Sequence, residues 1–184
     1  SRRRLVARVE ELLQTEDVVG LGEVGLDFSD ETLTEGMKLE QRKTFEMVLP
    51  LAMKYQLPVV IHCRNGQTKE AVGQCWGILE RNLDSGHKIH VHCFDGEKED
   101  AEQWLDKFPN AVFGFTALGL KKGRKERLLE VLRNIPVQKI MLETDAPYLV
   151  PPVFERFVPF SNPGMIMEVA KLVAEAKNLP SQVT

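Results

Sequence analysis

Five short apolar runs, separated by segments of helical period, restrict this chain to very few folds. They span Val18 to Val24, Leu57 to His62, Lys88 to Cys93, Ala111 to Phe115 and Lys139 to Glu143. The second is continuous in apolar residues rather than alternating, as strands covered on both faces are. Between the runs, apolar residues recur at helical spacing. The segment from Met37 to Tyr55 carries Leu39, Phe45, Val48, Leu49 and Ala52, and that from Gly66 to Leu83 carries Ala71, Val72, Cys75, Ile78 and Leu79. Further helices are expected over Ser1 to Glu16, Asp100 to Phe108, Lys125 to Asn134 and Gly164 to Lys177. Strands alternating with helices at roughly 25–30-residue spacing imply right-handed βαβ units and a parallel sheet. The expected class is α/β.

Four of the runs carry at their end, or run into, a residue that can hold a cation: Glu23, His62, His92 and Asp145. An acid buried alone at the end of an apolar strand costs several kcal/mol or more, so it must be paired, protonated or bound to a cation. In parallel α/β folds ligands sit at the carboxyl ends of the strands, where all four residues lie. A β/α barrel gathers such ends around one axis, whereas an open sheet spreads them in a line about 4.8 Å apart per strand. A closed barrel needs eight strands and about 250 residues. With five strands in 184 residues, either the sheet is open or three strands are missing. Two His, one Glu and one Asp suit a divalent ion of the Zn, Mn, Co or Mg type, and a carboxylate can bridge two such ions. His90 shares the parity of His92 and is read as lying one layer deeper. Cys63 and Cys93 have the opposite parity and should face the helices.

Several function classes are excluded. Gly20-Leu21-Gly22-Glu23-Val24-Gly25 matches G-x-G-x-x-G, but that fingerprint requires its glycines to open a helix. Here no helical period appears until about Met37, so no nucleotide cofactor is expected. No run approaches the length needed to span a bilayer, and Ser1-Arg2-Arg3-Arg4 lacks the apolar stretch of a signal peptide. Those arginines read as a solvated helix face. Three cysteines without Cys-x-x-Cys spacing favour a reducing, intracellular compartment, cytoplasmic or nuclear. A net charge of −3 argues against a dedicated nucleic-acid coat but is compatible with an enzyme whose positive charge comes from a metal and local patches.

Four segments carry a resemblance. Gly22-Glu23-Val24-Gly25-Leu26-Asp27-Phe28, Pro58-Val59-Val60-Ile61-His62-Cys63-Arg64, His92-Cys93-Phe94-Asp95-Gly96 and Glu143-Thr144-Asp145-Ala146-Pro147-Tyr148-Leu149 are similar, in order and spacing, to the motifs of the TatD family of metal-dependent hydrolases. The third departs from the pattern at Asp95, where the family has Ser or Thr. The resemblance implies a TIM-type β/α barrel holding one or two divalent ions (Mg²⁺, Mn²⁺ or Zn²⁺) and cleaving phosphodiesters in DNA. It further implies that Glu23 bridges the metals and that His62 and His92 complete one site. Asp145 would serve the other ion and take a proton from the attacking water, and Arg64 would hold a phosphate.

The family's first strand ends in an H-x-H pair, whereas His90-Val91-His92 belongs to a later strand. The 184 residues are therefore expected to form a single domain, part of such a barrel with about five of eight βα units. Residues 178–184 read as the start of a closing helix. Lys121 begins the basic segment Lys121-Lys122-Gly123-Arg124-Lys125-Glu126-Arg127, which reads equally as a phosphate contact or a solvated helix start. Tyr148, Phe154, Arg156 and Phe160, between Pro147 and Pro163, form either a rim where bases stack or a packed connector. Two other functions fit the residues: hydrolysis of small-molecule amide or ester bonds, and a catalytically impaired truncated barrel acting as a binding or structural module.

Overall fold

The computed structural model of the chain describes residues 2–180; the end of the expected closing helix, residues 181–184, lies outside them. Two compact units are present. One runs up to His92 and includes Lys107–Asn110, and the other comprises Cys93–Asp106 and the described residues from Ala111 onward.

In the first unit the order is α1 (Arg2–Leu13), β1 (Leu21–Asp27), α2 (Glu35–Tyr55), β2 (Val59–Arg64), α3 (Glu70–Asn82) and β3 (Ile89–Val91). β1 pairs with β2 and β2 with β3, both parallel. Each crossover contains a helix, as parallel neighbours require. Leu26, Leu49, Ala52, Val59, Ile61, Ala71, Cys75 and Leu79 have no exposed surface, so α2 and α3 cover one face of these strands. Burying one Leu or Ile side chain is worth about 1.5–3 kcal/mol, which makes this layer the main support of the unit. Val60 and His62 alternate with Val59 and Ile61 and therefore point to the opposite, less covered face. Thr34 opens α2 by accepting the Met37 N–H at 3.2 Å, and Gln56 closes it in a left-handed conformation with φ 53°.

The first strand is displaced from its expected position. It begins at Leu21, not Val18, and continues to Asp27; Val19 is 83% exposed. The pairing explains the shift. Leu21 aligns with Val59 and Asp27 with Arg64, and the register slips between Leu21 and Val24. That slip lets Leu26 and Phe28, rather than Val18 and Val19, enter the core. Glu23 thus sits at the irregularity inside the strand, not at its end.

The second unit contains α4 (Lys98–Lys107, all but its last residue), β4 (Val112–Phe115), α5 (Lys125–Asn134), β5 (Ile140–Leu142) and α6 (Ile166–Lys177). β4 and β5 are parallel, with Phe113 opposite Ile140 and Phe115 opposite Leu142. Phe94 packs edge-on against Phe113 and Phe115, with ring centroids 5.0 and 6.2 Å away. Leu129, Val131, Leu132 and Val169 are buried from α5 and α6. In the proline-rich connection before α6, Phe154 is half-buried, whereas Tyr148, Phe157 and Phe160 are 71%, 74% and 66% exposed.

β3 and β5 are shorter than their apolar runs. The chain turns into the left-handed region at Cys93 (φ 45°), just past β3, and Lys139 belongs to the short 3-10 turn Val137–Lys139 that precedes β5. Among the described residues no helix is long and apolar enough to cross a membrane.

Candidate metal centre

Glu23, His62 and His92 converge. One ligand-capable atom from each lies within 4.8 Å of the other two. Oε2 of Glu23 is 3.6 Å from Nδ1 of His62 and 3.3 Å from Nε2 of His92. The imidazoles lie nearly parallel, 6.3 Å apart at 29°. Two features of the backbone bring these groups together. The His92 N–H donates to the Ile61 carbonyl at 3.0 Å, fixing the turn after β3 beside β2. Gly25 pairs with His62, and a Cβ at Gly25 would lie 1.8 Å from the His62 carbonyl oxygen. Only a glycine permits that approach.

Asp27 completes the arrangement. Its Oδ2 lies 2.9 Å from Nε2 of His62, while its Oδ1 accepts from the Ser29 hydroxyl at 2.6 Å and the Ser29 N–H at 2.9 Å. Burial works to raise the Asp27 pKa, but the hydrogen bonds from Ser29, reinforced by His62, outweigh it and hold the carboxyl below its ordinary value. An ionised carboxylate only accepts, so Nε2 of His62 donates to Asp27, and Nδ1 is the nitrogen that faces Glu23. A carboxylate behind an imidazole in this way is the usual support of a metal-ligating histidine. Asp27 is itself held by α2. The Gln41 amide accepts the Asp27 N–H and donates to the Asp27 carbonyl, both at 2.9 Å.

The donor set fits a divalent cation. Ligand atoms about 2.1 Å from a tetrahedrally bound ion lie about 3.4 Å apart, close to the 3.3 and 3.6 Å found here. The carboxylate supplies charge and the imidazoles supply neutral nitrogen donors. An open groove of about 570 Å³, lined by Glu23, Gly25, Met37, Gln41 and Phe45, borders the cluster.

Arg64, Asp145 and Lys121 are the other expected site residues. Arg64 ends β2 two residues beyond His62, on the same strand face, with an exposed side chain. Asp145, in the second unit, is half-buried just past β5, and its carbonyl accepts the Tyr148 N–H at 2.9 Å. Lys121, also in the second unit, closes the short 3-10 turn Ala117–Leu120. Three residues that sequence reasoning did not assign take structural parts. Asp27 and Gln41 support His62, and Oε2 of Glu143 accepts the Cys93 N–H at 2.8 Å. Glu143 rests on Gly114, where a Cβ would come within 2.1 Å of the carboxyl group. The signal for Asp27 was present, since it closes the same motif as Glu23.

Comparison with known proteins agrees with this picture. A family model described as TatD related DNase matches residues 1–184. The human 3'-5' RNA nuclease TATDN2 is 37% identical over 167 residues, covering 90% of this chain and 21% of that protein. The 3'-5' ssDNA/RNA exonuclease TatD of Citrobacter koseri is 36% identical over 140 residues, covering 76% of this chain and 50% of that protein. The chain thus spans half the length of that bacterial relative and about a fifth of the human one. In three dimensions it resembles the crystal structure of YJJV, a TatD homologue from Escherichia coli, with a TM-score of 0.80 at 23% identity over 96% of this chain and 63% of that one. The fold is α/β, of the incomplete TIM-barrel kind. This chain belongs to the TatD related DNase family.

Proposed function

We propose that the protein is a metal-dependent nuclease that hydrolyses phosphodiester bonds in single-stranded nucleic acid, DNA foremost, from the 3' end. The observation that carries this reading is the convergence of Glu23, His62 and His92 within 4.8 Å, with Asp27 setting the His62 tautomer. Glu23, His62 and His92 would hold a divalent ion (Mg²⁺, Mn²⁺ or Zn²⁺), with Glu23 able to share a second. When bound, such an ion supplies Lewis acidity, lowering the pKa of a water and offsetting the charge of the phosphate.

The chain's own residues supply the rest. Glu23 brings negative charge to the ligand set, and its half-exposed side chain (49%) leaves it accessible to substrate. His62, steered by Asp27, and His92 offer neutral nitrogens. We assign Asp145 the proton from the attacking water, on the strength of its motif, Glu143 to Leu149, rather than of a distance. Arg64 is suited to hold a phosphate by a bidentate contact, and Lys121 to steer the backbone by charge. The names of the relatives, an RNA nuclease and an ssDNA/RNA exonuclease, support nucleic acid over small amides or esters. The three cysteines, Cys63, Cys75 and Cys93, without Cys-x-x-Cys spacing, support a reducing compartment, cytoplasmic or nuclear.

The test is Mg²⁺- or Mn²⁺-dependent cleavage of 3'- and 5'-labelled single-stranded oligonucleotides by the protein, Glu23→Gln and Asp145→Asn. Each variant is expected to lose cleavage by about 10²-fold or more. Wild-type rates in both would refute the assignment.

A further inference from the structure

Outside the metal centre, one group of charges stands out in the second unit. From Lys121 to Arg127 there are five cations and one acid, Glu126. Lys125 is engaged with Glu175, its Nζ 2.8 Å from Oε2. Arg124 and Arg127 instead converge on the single carboxylate of Asp95. Arg127 donates to Oδ1 at 2.5 Å, and Arg124 donates to Oδ2. Two guanidiniums and one carboxylate leave this triad with a formal charge of +1. Every member keeps more than a third of its surface in solvent: 38% for Arg124, 37% for Arg127 and 35% for Asp95.

An ion pair that only pinned the 93–96 turn to α5 would gain little at such exposure, because water and salt screen it and long side chains must be ordered to make it. The arrangement is, however, the one that a bound oxyanion makes. Each oxygen of a single anion takes a guanidinium from a different direction, as the oxygens of a phosphate do. A phosphate group presents additional oxygens to the same pair. Arg124 also stands at the start of α5, whose ten residues begin without a side-chain cap, so the helix end adds partial positive charge at that place.

We propose that Arg124 and Arg127 form a phosphate-binding site for the nucleic-acid strand, and that Asp95 is its resident anion, displaced when a strand phosphate enters. The exchange replaces one anion by another, so Asp95 sets the affinity of the site without abolishing it. It weakens binding of any strand and favours release. The proposal rests on the nuclease reading for its ligand, but not on the metal residues for its test.

Binding of a fluorescein-labelled single-stranded oligonucleotide in EDTA, where cleavage is silent, tests it across a salt series. The proteins compared are wild type, Asp95→Asn, Arg124→Gln/Arg127→Gln and the triple combination. Asp95→Asn is expected to bind on the order of five- to tenfold tighter at about 50 mM salt, as removal of a competing anion should. The double arginine variant is expected to bind more weakly, with a log–log salt slope shallower by roughly 0.7 for each lost phosphate contact. The triple variant should match the double. Inorganic phosphate, followed by thermal shift, separates the sources. Stabilisation of wild type but not of the double arginine variant assigns the site to phosphate in general, and no stabilisation alongside a tighter Asp95→Asn assigns it to the strand. Unchanged affinity and slope in a folded Asp95→Asn would overturn the proposal and leave a structural ion pair. If that variant does not fold, single Arg124→Gln and Arg127→Gln carry the test, and unchanged salt slopes in both overturn it. Absence of nuclease activity with the Asp95→Asn gain intact would sink the nuclease reading alone, whereas cleavage with none of these binding effects would sink this one alone.

Discussion

His62 owes its chemistry to a neighbour 35 positions earlier in the chain. Because Asp27 can only accept, Nε2 of His62 is the nitrogen that donates to it, and Nδ1 is turned toward Glu23. Asp27→Asn offers either an acceptor or a donor in that place and no longer fixes the tautomer. It should weaken divalent-ion affinity by about 10- to 100-fold, read by titration calorimetry with Mn²⁺; unchanged affinity would remove Asp27 from the account. Gly25→Ala presses a methyl group to 1.8 Å from the His62 carbonyl oxygen. A cost of about 3 kcal/mol is expected in denaturant unfolding, because the obstacle is backbone and cannot rotate away. The convergence of Glu23, His62 and His92 was legible because each follows an apolar run, and apolar runs are written in the sequence. The roles of Asp27 and Gln41 were not, since they depend on a register slip after Leu21 and on the rotation of α2, which only tertiary packing fixes.

Among the elements, α1 departs furthest from its sequence pattern. Leu5, Val9, Leu12 and Leu13 line one face, yet α1 has no buried residue. Its polar tie to α2 is therefore prominent: Glu10 accepts from Lys54 Nζ at 2.5 Å and from the Tyr55 hydroxyl at 3.1 Å. Hydrogen bonds from Lys54, then Tyr55, lower the Glu10 pKa from its ordinary 4.5. A carboxyl whose folded pKa is lowered adds stability that is complete above its unfolded value and is lost as pH falls through the folded one. Amide exchange in α1 should accordingly quicken, relative to α2, below about pH 4.5. Glu10→Gln should show the faster exchange at neutral pH already; equal protection in variant and wild type would mean that Glu10 does not hold the helix. α2 and α5 were readable almost to the residue because their apolar faces are long and regular. β3 and β5 were over-read because a left-handed residue, Cys93, follows the first and a 3-10 turn takes the start of the second, regardless of how apolar the runs are.

At the scale of the molecule, a ligand that binds the folded state alone raises the apparent stability of the unit holding its site. An ion at 100 times its dissociation constant contributes about 2.7 kcal/mol. Mn²⁺ should therefore raise the melting temperature of the wild type, EDTA should reverse the gain, and Glu23→Gln should show neither effect. An equal rise in Glu23→Gln would place the ion elsewhere. With a net charge of −3, the proposed attraction to nucleic acid would have to arise from local groups rather than from the whole surface. The strand–helix alternation announced the α/β class at once, but the division into two units was not visible in composition, which has no linker-like break. The bracket that Gln41 places on Asp27 has its own consequence for inheritance. A helix residue that grips the backbone of Asp27 would become part of the heritable definition of the site, through a relay from Gln41 to Asp27 to His62. In a saturation screen for loss of cleavage, position 41 should tolerate Glu and Leu no better than position 27 tolerates Asn, while its neighbours Glu40 and Lys43 on the same helix accept nearly anything.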